Sequence, residues 1–182
     1  AVMTSKEHTC GTDRISEAVN PLDVKIVINI QGDEPLIHPT MIDNVARALL
    51  EDSSIKMATV MKKIEDTAQV FDPHVVKVVV DKDNFALYFS RAPIPYLEPG
   101  AEINQAAYYK HIGLYGYTKD FLFTYKNLQV SNLEKIEKLE QLRVLSGGFK
   151  IKVIETKFDT VSVDFPEDLE KVKAQLQKEN IK

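Results

Sequence analysis

Residues 25–31 (KIVINIQ) form a nearly continuous apolar run that stops at Gly32. A run of that length reads as a strand buried on both faces, the kind found in mainly parallel sheets covered by helices. Such a strand needs neighbours on either side and helices above and below, and the rest of the chain supplies them. Pro39 opens a segment whose apolar residues Ile42, Val45, Ala46 and Leu49 fall at helical spacing. Residues 56–61 are the next strand. Residues 75–80 and 85–89 are two more, joined through Asp81-Lys82-Asp83-Asn84 as a hairpin. Pro93 and Pro95 hold the following stretch extended. Residues 111–117 alternate like a strand, 120–125 read as helix and 150–155 as strand.

Leu133, Ile136, Leu139, Leu142 and Leu145 recur every three residues, which predicts one amphipathic helix over 133–145, ended by Gly147-Gly148. Pro166 opens a last helix with Leu169, Val172 and Leu176 on one face. Near the start, Thr12 or Asp13 is placed to cap a short helix through Val19. The expected fold is one α/β domain over 1–182, a mixed sheet flanked by helices.

Composition narrows the function. With 44% hydrophobic residues in a chain of 182, a packed core is available, which excludes a disordered or collagen-like chain. Lys plus Arg is 23 against 27 Asp plus Glu, a net charge of −4, which argues against a general nucleic-acid binder. Cys10 stands alone and cannot form an internal disulfide, so a reducing, cytoplasmic location is expected. No apolar run approaches the ~18 residues of a membrane span, so no membrane partner is expected.

Ligands of open α/β sheets sit beyond the carboxyl ends of the strands. Gln31-Gly32-Asp33-Glu34-Pro35 stands at such an end. Mg²⁺ asks for one or two carboxylates there and leaves its other positions to water and phosphate oxygens. Gln31 offers a donor and an acceptor to a base or sugar. The alternative is a solvated turn. Asp164, ahead of the last helix, either caps that helix or reaches a metal held by Asp33. Gly11 and Thr12 give a polar approach at a helix N-terminus suited to a nucleotide, with Arg14 one turn in; an ordinary helix start with a surface Arg is the alternative. Arg91 could clamp a carboxylate. His111 on a strand is more often structural than ligand-binding, and Glu140 and Gln141 on a helix usually face solvent. Cys10 has no partner that would make it a nucleophile. The sequence holds no Cys/His set for zinc, no P-loop and no G-x-G-x-x-G.

Taken in order, these segments resemble the 3-deoxy-manno-octulosonate (Kdo) cytidylyltransferases, or CMP-Kdo synthetases. The resembling stretches are HTCGTDR at 8–14, VINIQGDEPLI at 27–37, VVKVVVDKDNFALYFSRAPIPY at 75–96 and KHIGLYGY at 110–117. LEKIEKLEQLRVLSGGFKIKV at 133–153 and VDFPEDLEKV at 163–172 complete them. The resemblance implies a Rossmann-like nucleotidyltransferase sheet of the glycosyltransferase-A type. It implies transfer of CMP from CTP to the anomeric hydroxyl of Kdo, with pyrophosphate released and CMP-Kdo passed to lipopolysaccharide assembly. It implies Mg²⁺ as cofactor, with Asp33 and Asp164 as catalytic metal ligands. Gln31, Arg14 and Gly11 would contact nucleotide and sugar, and Arg91, His111, Glu140 and Gln141 would line the Kdo pocket. It also implies a homodimer, with the hairpin excursion at about 75–96 as contact region. Cytidylyltransfer to another acid sugar, or a non-catalytic binding or dimerisation module, are the alternatives.

The chain departs from the family at Cys10, where Ser is usual, and at Ser162 and Phe165, where Gly and Thr are usual. The first βα units and the loop that grips the CTP triphosphate are not in this sequence. The expectation is that it is a portion of a synthetase, inactive by itself.

Overall fold

The computed structural model describes residues 1–8, 10–98, 108–163 and 165–179. Helix α1 (Gly11–Val19) is followed by β1 (Ile26–Ile30), α2 (Pro39–Glu51), β2 (Met57–Lys63), α3 (Thr67–Phe71), β3 (Lys77–Val80), β4 (Ala86–Ser90) and β5 (Tyr109–Thr118). Then come α4 (Lys119–Lys126), α5 (Asn132–Glu137), α6 (Leu142–Ser146), β6 (Lys152–Thr156) and α7 (Pro166–Glu179). The sheet runs β4-β3-β5-β2-β6, with β1 also paired to β5. It is the expected mixed sheet flanked by helices.

Strand β5 organises the sheet because it is long enough to take three partners. Strand β2 runs along one side of it, from Met57 opposite Tyr117 to Lys63 opposite Tyr109. On the other side β3 takes Tyr109 and Lys110, while β1 takes 114–118. Strands β1 and β3 therefore lie end to end along β5, and the sheet is split between them at residues 111–113. A β-bulge between Thr59 and Val60 falls at the same level. Bulges of this kind bend a strand and re-aim its side chains beside a site.

Two cores cover the two faces. Helix α2 lays Met41, Val45 and Leu49, spaced four apart, onto Ala58, Val60, Ile112 and Leu114. It approaches closely because Gly116 lies beneath it: a Cβ there would meet Val45 Cγ1 at 2.5 Å and Leu49 Cδ1 at 2.7 Å. The opposite face packs Phe121, Leu122 and Tyr125 of α4 with Leu139 and Leu142 onto Met57, Phe89 and Tyr117. No helix among the described residues is long and apolar enough to cross a membrane.

Three local expectations are corrected. Strand β1 is half-buried and antiparallel to β5, and β2–β6 is the parallel pair. The apolar run at 25–31 does report coverage on both faces, since Ile26 and Ile28 join one core and Val27 the other. Coverage says nothing of strand direction. Second, the helix over 133–145 is two helices, broken at Lys138, which is left-handed at φ 56. Steps of three each fall ~60° short of a full turn, so five such residues cannot share one helical face. The break leaves Ile136 exposed and buries Leu139 and Leu142. Third, neither Thr12 nor Asp13 caps α1; Cys10 holds the N-cap position and Thr12 lies inside the first turn.

Candidate active site

The split in the sheet opens into a cavity of about 480 Å³. Its floor is β5, whose period of two turns His111, Gly113, Tyr115 and Tyr117 to the same side. One wall is the end of β1 and the turn after it, with Asn29, Gln31, Asp33 and Glu34. The turn closes through Glu34 N–H donating to Gln31 O at 3.1 Å. The fit is close here: a Cβ on Gly113 would stand 3.3 Å from Gln31 Cγ, so the Gln31 side chain would have to shift by a few tenths of an ångström. The wall opposite is the 138–141 link between α5 and α6. The left-handed turn at Lys138 swings Glu140 inward, where it accepts the Thr12 hydroxyl at 2.7 Å. Thr160 and Ser162 complete the rim.

His111 is held from both sides. Its Nε2 lies 2.8 Å from Thr59 Oγ1, and its ring meets Phe89 edge-on at 5.1 Å. The single proton of the Thr59 hydroxyl goes to Leu114 O at 2.9 Å, so Nε2–H is the donor to Thr59. That leaves Nδ1 as the acceptor of a neutral ring. Desolvation supports the neutral form, lowering the pKa from 6.5 to about 3. Burial likewise raises the pKa of Tyr115, Tyr117 and Tyr125, and the Glu140 charge adds to it. All three phenols remain protonated donors at neutral pH.

Of the residues expected at a site, Gly11, Gln31, Asp33, His111, Glu140 and Gln141 line this cavity. The two arginines lie elsewhere. Arg14 donates to Thr4 Oγ1 at 2.6 Å and to Ser5 O at 3.1 Å. Arg91 ties loops together, its Nε donating to Glu137 O at 2.8 Å and its Nη1 to Pro73 O at 2.9 Å. Asp164 lies outside the described residues. Its neighbour Val163 donates its N–H to Asp33 O at 2.8 Å.

Thr12, read beside Gly11 as a polar approach, lines the cavity too, whereas reading single residues missed Asn29, the three tyrosines and Lys110. The alternation 111, 113, 115, 117 carried the signal for two of the tyrosines, since a strand turns all four to one face.

Among the described residues, no three of His, Cys, Asp and Glu gather closely enough to hold a metal between them. The donors around the turn after β1 are hard oxygens, with Asp33 and Glu34 beside the Gln31 amide. That set suits a hard cation that draws one or two carboxylates from protein and the rest from water and phosphate.

Known proteins resemble this chain in sequence and in fold. The family model for cytidylyltransferases matches residues 1–153. A 3-deoxy-manno-octulosonate cytidylyltransferase from Geotalea uraniireducens is 46% identical over 186 residues, covering 98% of this chain and 74% of that protein. The protein of the same name from Fusobacterium nucleatum is 46% identical over 183 residues, covering 100% of this chain and 74% of the relative. A solved structure of CMP:2-keto-3-deoxy-manno-octonic acid synthetase complexed with CTP superposes with a TM-score of 0.90 at 40% identity, covering 98% of this chain and 73% of that one. With the fold and nearly the whole chain in agreement, this chain belongs to the cytidylyltransferases and, among them, to the 3-deoxy-manno-octulosonate cytidylyltransferases.

Proposed function

We propose that this site transfers CMP from CTP to the anomeric hydroxyl of Kdo, giving CMP-Kdo and pyrophosphate for lipopolysaccharide assembly in the cytoplasm. The observation that carries the reading is the cavity at the split of the sheet. There the turn after β1, the His111 strand and the Glu140-Gln141 link converge, and each lies in a segment that resembles the family.

The hydroxyl oxygen attacks the α-phosphorus in line, a new P–O bond forms, and the bond to pyrophosphate breaks. Little covalent chemistry is asked of the protein, so its work is positioning and electrostatics. Gln31 and Gln141 offer amide donors and acceptors along the cavity. His111 Nδ1 accepts from a sugar hydroxyl without bringing a charge. The protonated tyrosines donate, and Glu140, oriented by Thr12, accepts. Lys138 in the cavity wall supplies positive charge for an acid sugar. Mg²⁺ would be held by Asp33 and Asp164, and when bound it offsets charge on the phosphates and makes the attacking hydroxyl more acidic.

A homodimer through the hairpin region is part of the same proposal. Strand β4 ends the sheet path, and Leu87 and Tyr96 are 61% and 82% exposed there. Light scattering tests it, and a monomer at micromolar concentration would overturn it.

The test of function is pyrophosphate release from CTP with Mg²⁺ and Kdo, run beside a sialic acid and an amino derivative of Kdo. Release strictly dependent on Kdo supports the reading, and preference for another acid sugar replaces it. Calorimetry with CTP and Mg²⁺ separates an enzyme site from a docking module: the heat should vanish in Asp33→Ala.

A further inference from the structure

Lysines stand in register across three strands of the sheet: Lys77 opposite Lys110, and Lys110 opposite Lys62. Directly opposed residues share a face, and like charges so placed destabilise a sheet. Each end of the row is relieved differently. Lys77 is fully buried and gives its protons to the carbonyls of Asp72, Val75 and Arg91 at 2.6–2.8 Å. Lys62 and Lys110 instead grip one carboxylate. Asp159 Oδ2 lies 3.0 Å from Lys62 Nζ, and Oδ1 lies 2.5 Å from Lys110 Nζ. The lysine side chains are 14% exposed and the Asp159 side chain 51%, so these ion pairs lie at the surface, where salt weakens them.

Asp159 belongs to the loop between β6 and α7, which passes over the cavity rim. Before the clamp, the Phe158 ring stacks on His38 at 3.6 Å. After it, Thr160 and Ser162 face the cavity and Val163 N–H reaches Asp33 O. Lys110 is itself part of the cavity wall.

We propose that Asp159 is a positioning residue: locked between Lys62 and Lys110, its carboxylate holds residues 157–163 down so that Thr160 and Ser162 form the rim of the sugar site. The consequence for catalysis rests on the reaction proposed above; the clamp itself does not. Desolvation alone would raise the Asp159 pKa, but the hydrogen bonds from Lys110 and Lys62 more than reverse this, so the carboxylate stays charged at neutral pH.

The test compares the protein with Asp159→Asn, of the same shape, and Asp159→Glu, which keeps the charge. Hydrogen–deuterium exchange over 157–163 is read first. It should rise ~10-fold in D159N and in the unmutated protein at 1 M NaCl, while α2 and β5 stay protected. In the CTP-plus-Kdo assay, D159N should raise the KM for Kdo ~10-fold with kcat within ~3-fold, because a rim contact binds ground and transition states alike. D159E should recover most of both effects. Unchanged exchange in D159N, or a D159E indistinguishable from D159N, overturns the clamp. Exchange decides the clamp whether or not the unmutated protein turns over, and a preference for another acid sugar overturns the functional reading without touching the clamp.

Discussion

The backbone N–H of Val163 donates to the carbonyl oxygen of Asp33 at 2.8 Å. This bond joins the turn after β1 to the loop before α7, two segments far apart in sequence. It is made by main-chain atoms, so changing the Asp33 side chain leaves it intact. Asp33→Asn should therefore lower CMP transfer by ~10²–10³-fold, the scale of losing one group that stabilises a charged transition state, while the melting temperature stays put. Parallel turnover and calorimetric scans check this; a parallel fall in both would assign Asp33 a structural role instead.

His111 sets an acid limit on stability. Its pKa is about 3 in the folded chain against 6.5 for the free side chain. Between those values the unfolded chain binds the extra proton, so stability falls as pH drops from about 6.5 toward 3 and gains nothing from His111 above 6.5. His111→Asn should flatten the urea-midpoint profile in that window. An equally steep profile in the variant would assign the acid sensitivity to other groups.

Gly116 is required by the approach of α2 to the sheet. Gly116→Ala introduces a Cβ 2.5 Å from Val45 Cγ1, and the strand and helix must part to accept it. Overpacking of this kind should cost ~1–3 kcal/mol in urea unfolding. The double variant with Val45→Ala should recover part of the loss, since it removes the nearest clashing atom.

Arg143 and Glu134 form a bidentate pair, with Nε donating to Oε2 at 2.9 Å and Nη2 to Oε1 at 2.6 Å. The two side chains are 10% and 12% exposed, and the guanidinium lies 5.8 Å from the Tyr125 ring centroid. The pair bridges the break at Lys138 and so holds the link that carries Glu140 and Gln141. Glu134→Gln leaves a buried cation without its counter-charge and should destabilise by ~3 kcal/mol. Replacing both residues with apolar ones of similar volume should cost much less, which a double-mutant cycle would show.

Sequence by itself determined what local periodicity encodes. The 75–89 hairpin, the helix opened by Pro39, the alternation of β5 and the short helix after it stand in the fold as read. Each is a pattern of apolar residues within one segment, and burial of that segment is all the pattern needs to express. The turn at Gln31–Glu34 was legible for the same reason: a strand-sized run ends there, and a strand end in an α/β sheet is where ligands go.

Tertiary structure decided everything that depends on which distant segments meet. An apolar run reports that both faces of β1 are covered, but its direction is settled by β5, which pairs with it antiparallel. The site exists because β1 and β3 share one side of β5 and leave a gap between them, and no single segment contains that gap. Arg14 and Arg91 looked equal to Gln31 as ligand contacts, yet nearby carbonyls claim their guanidinium groups and hold them off the cavity wall. The leucine spacing around Lys138 suggested one helix, while burial of Leu139 and Leu142 in the core shared with α4 required two. Asp159 showed nothing in sequence, because its meaning is set by two lysines on other strands. Local propensity is a property of neighbours in the chain; pairing, gaps and counter-charges are properties of neighbours in space.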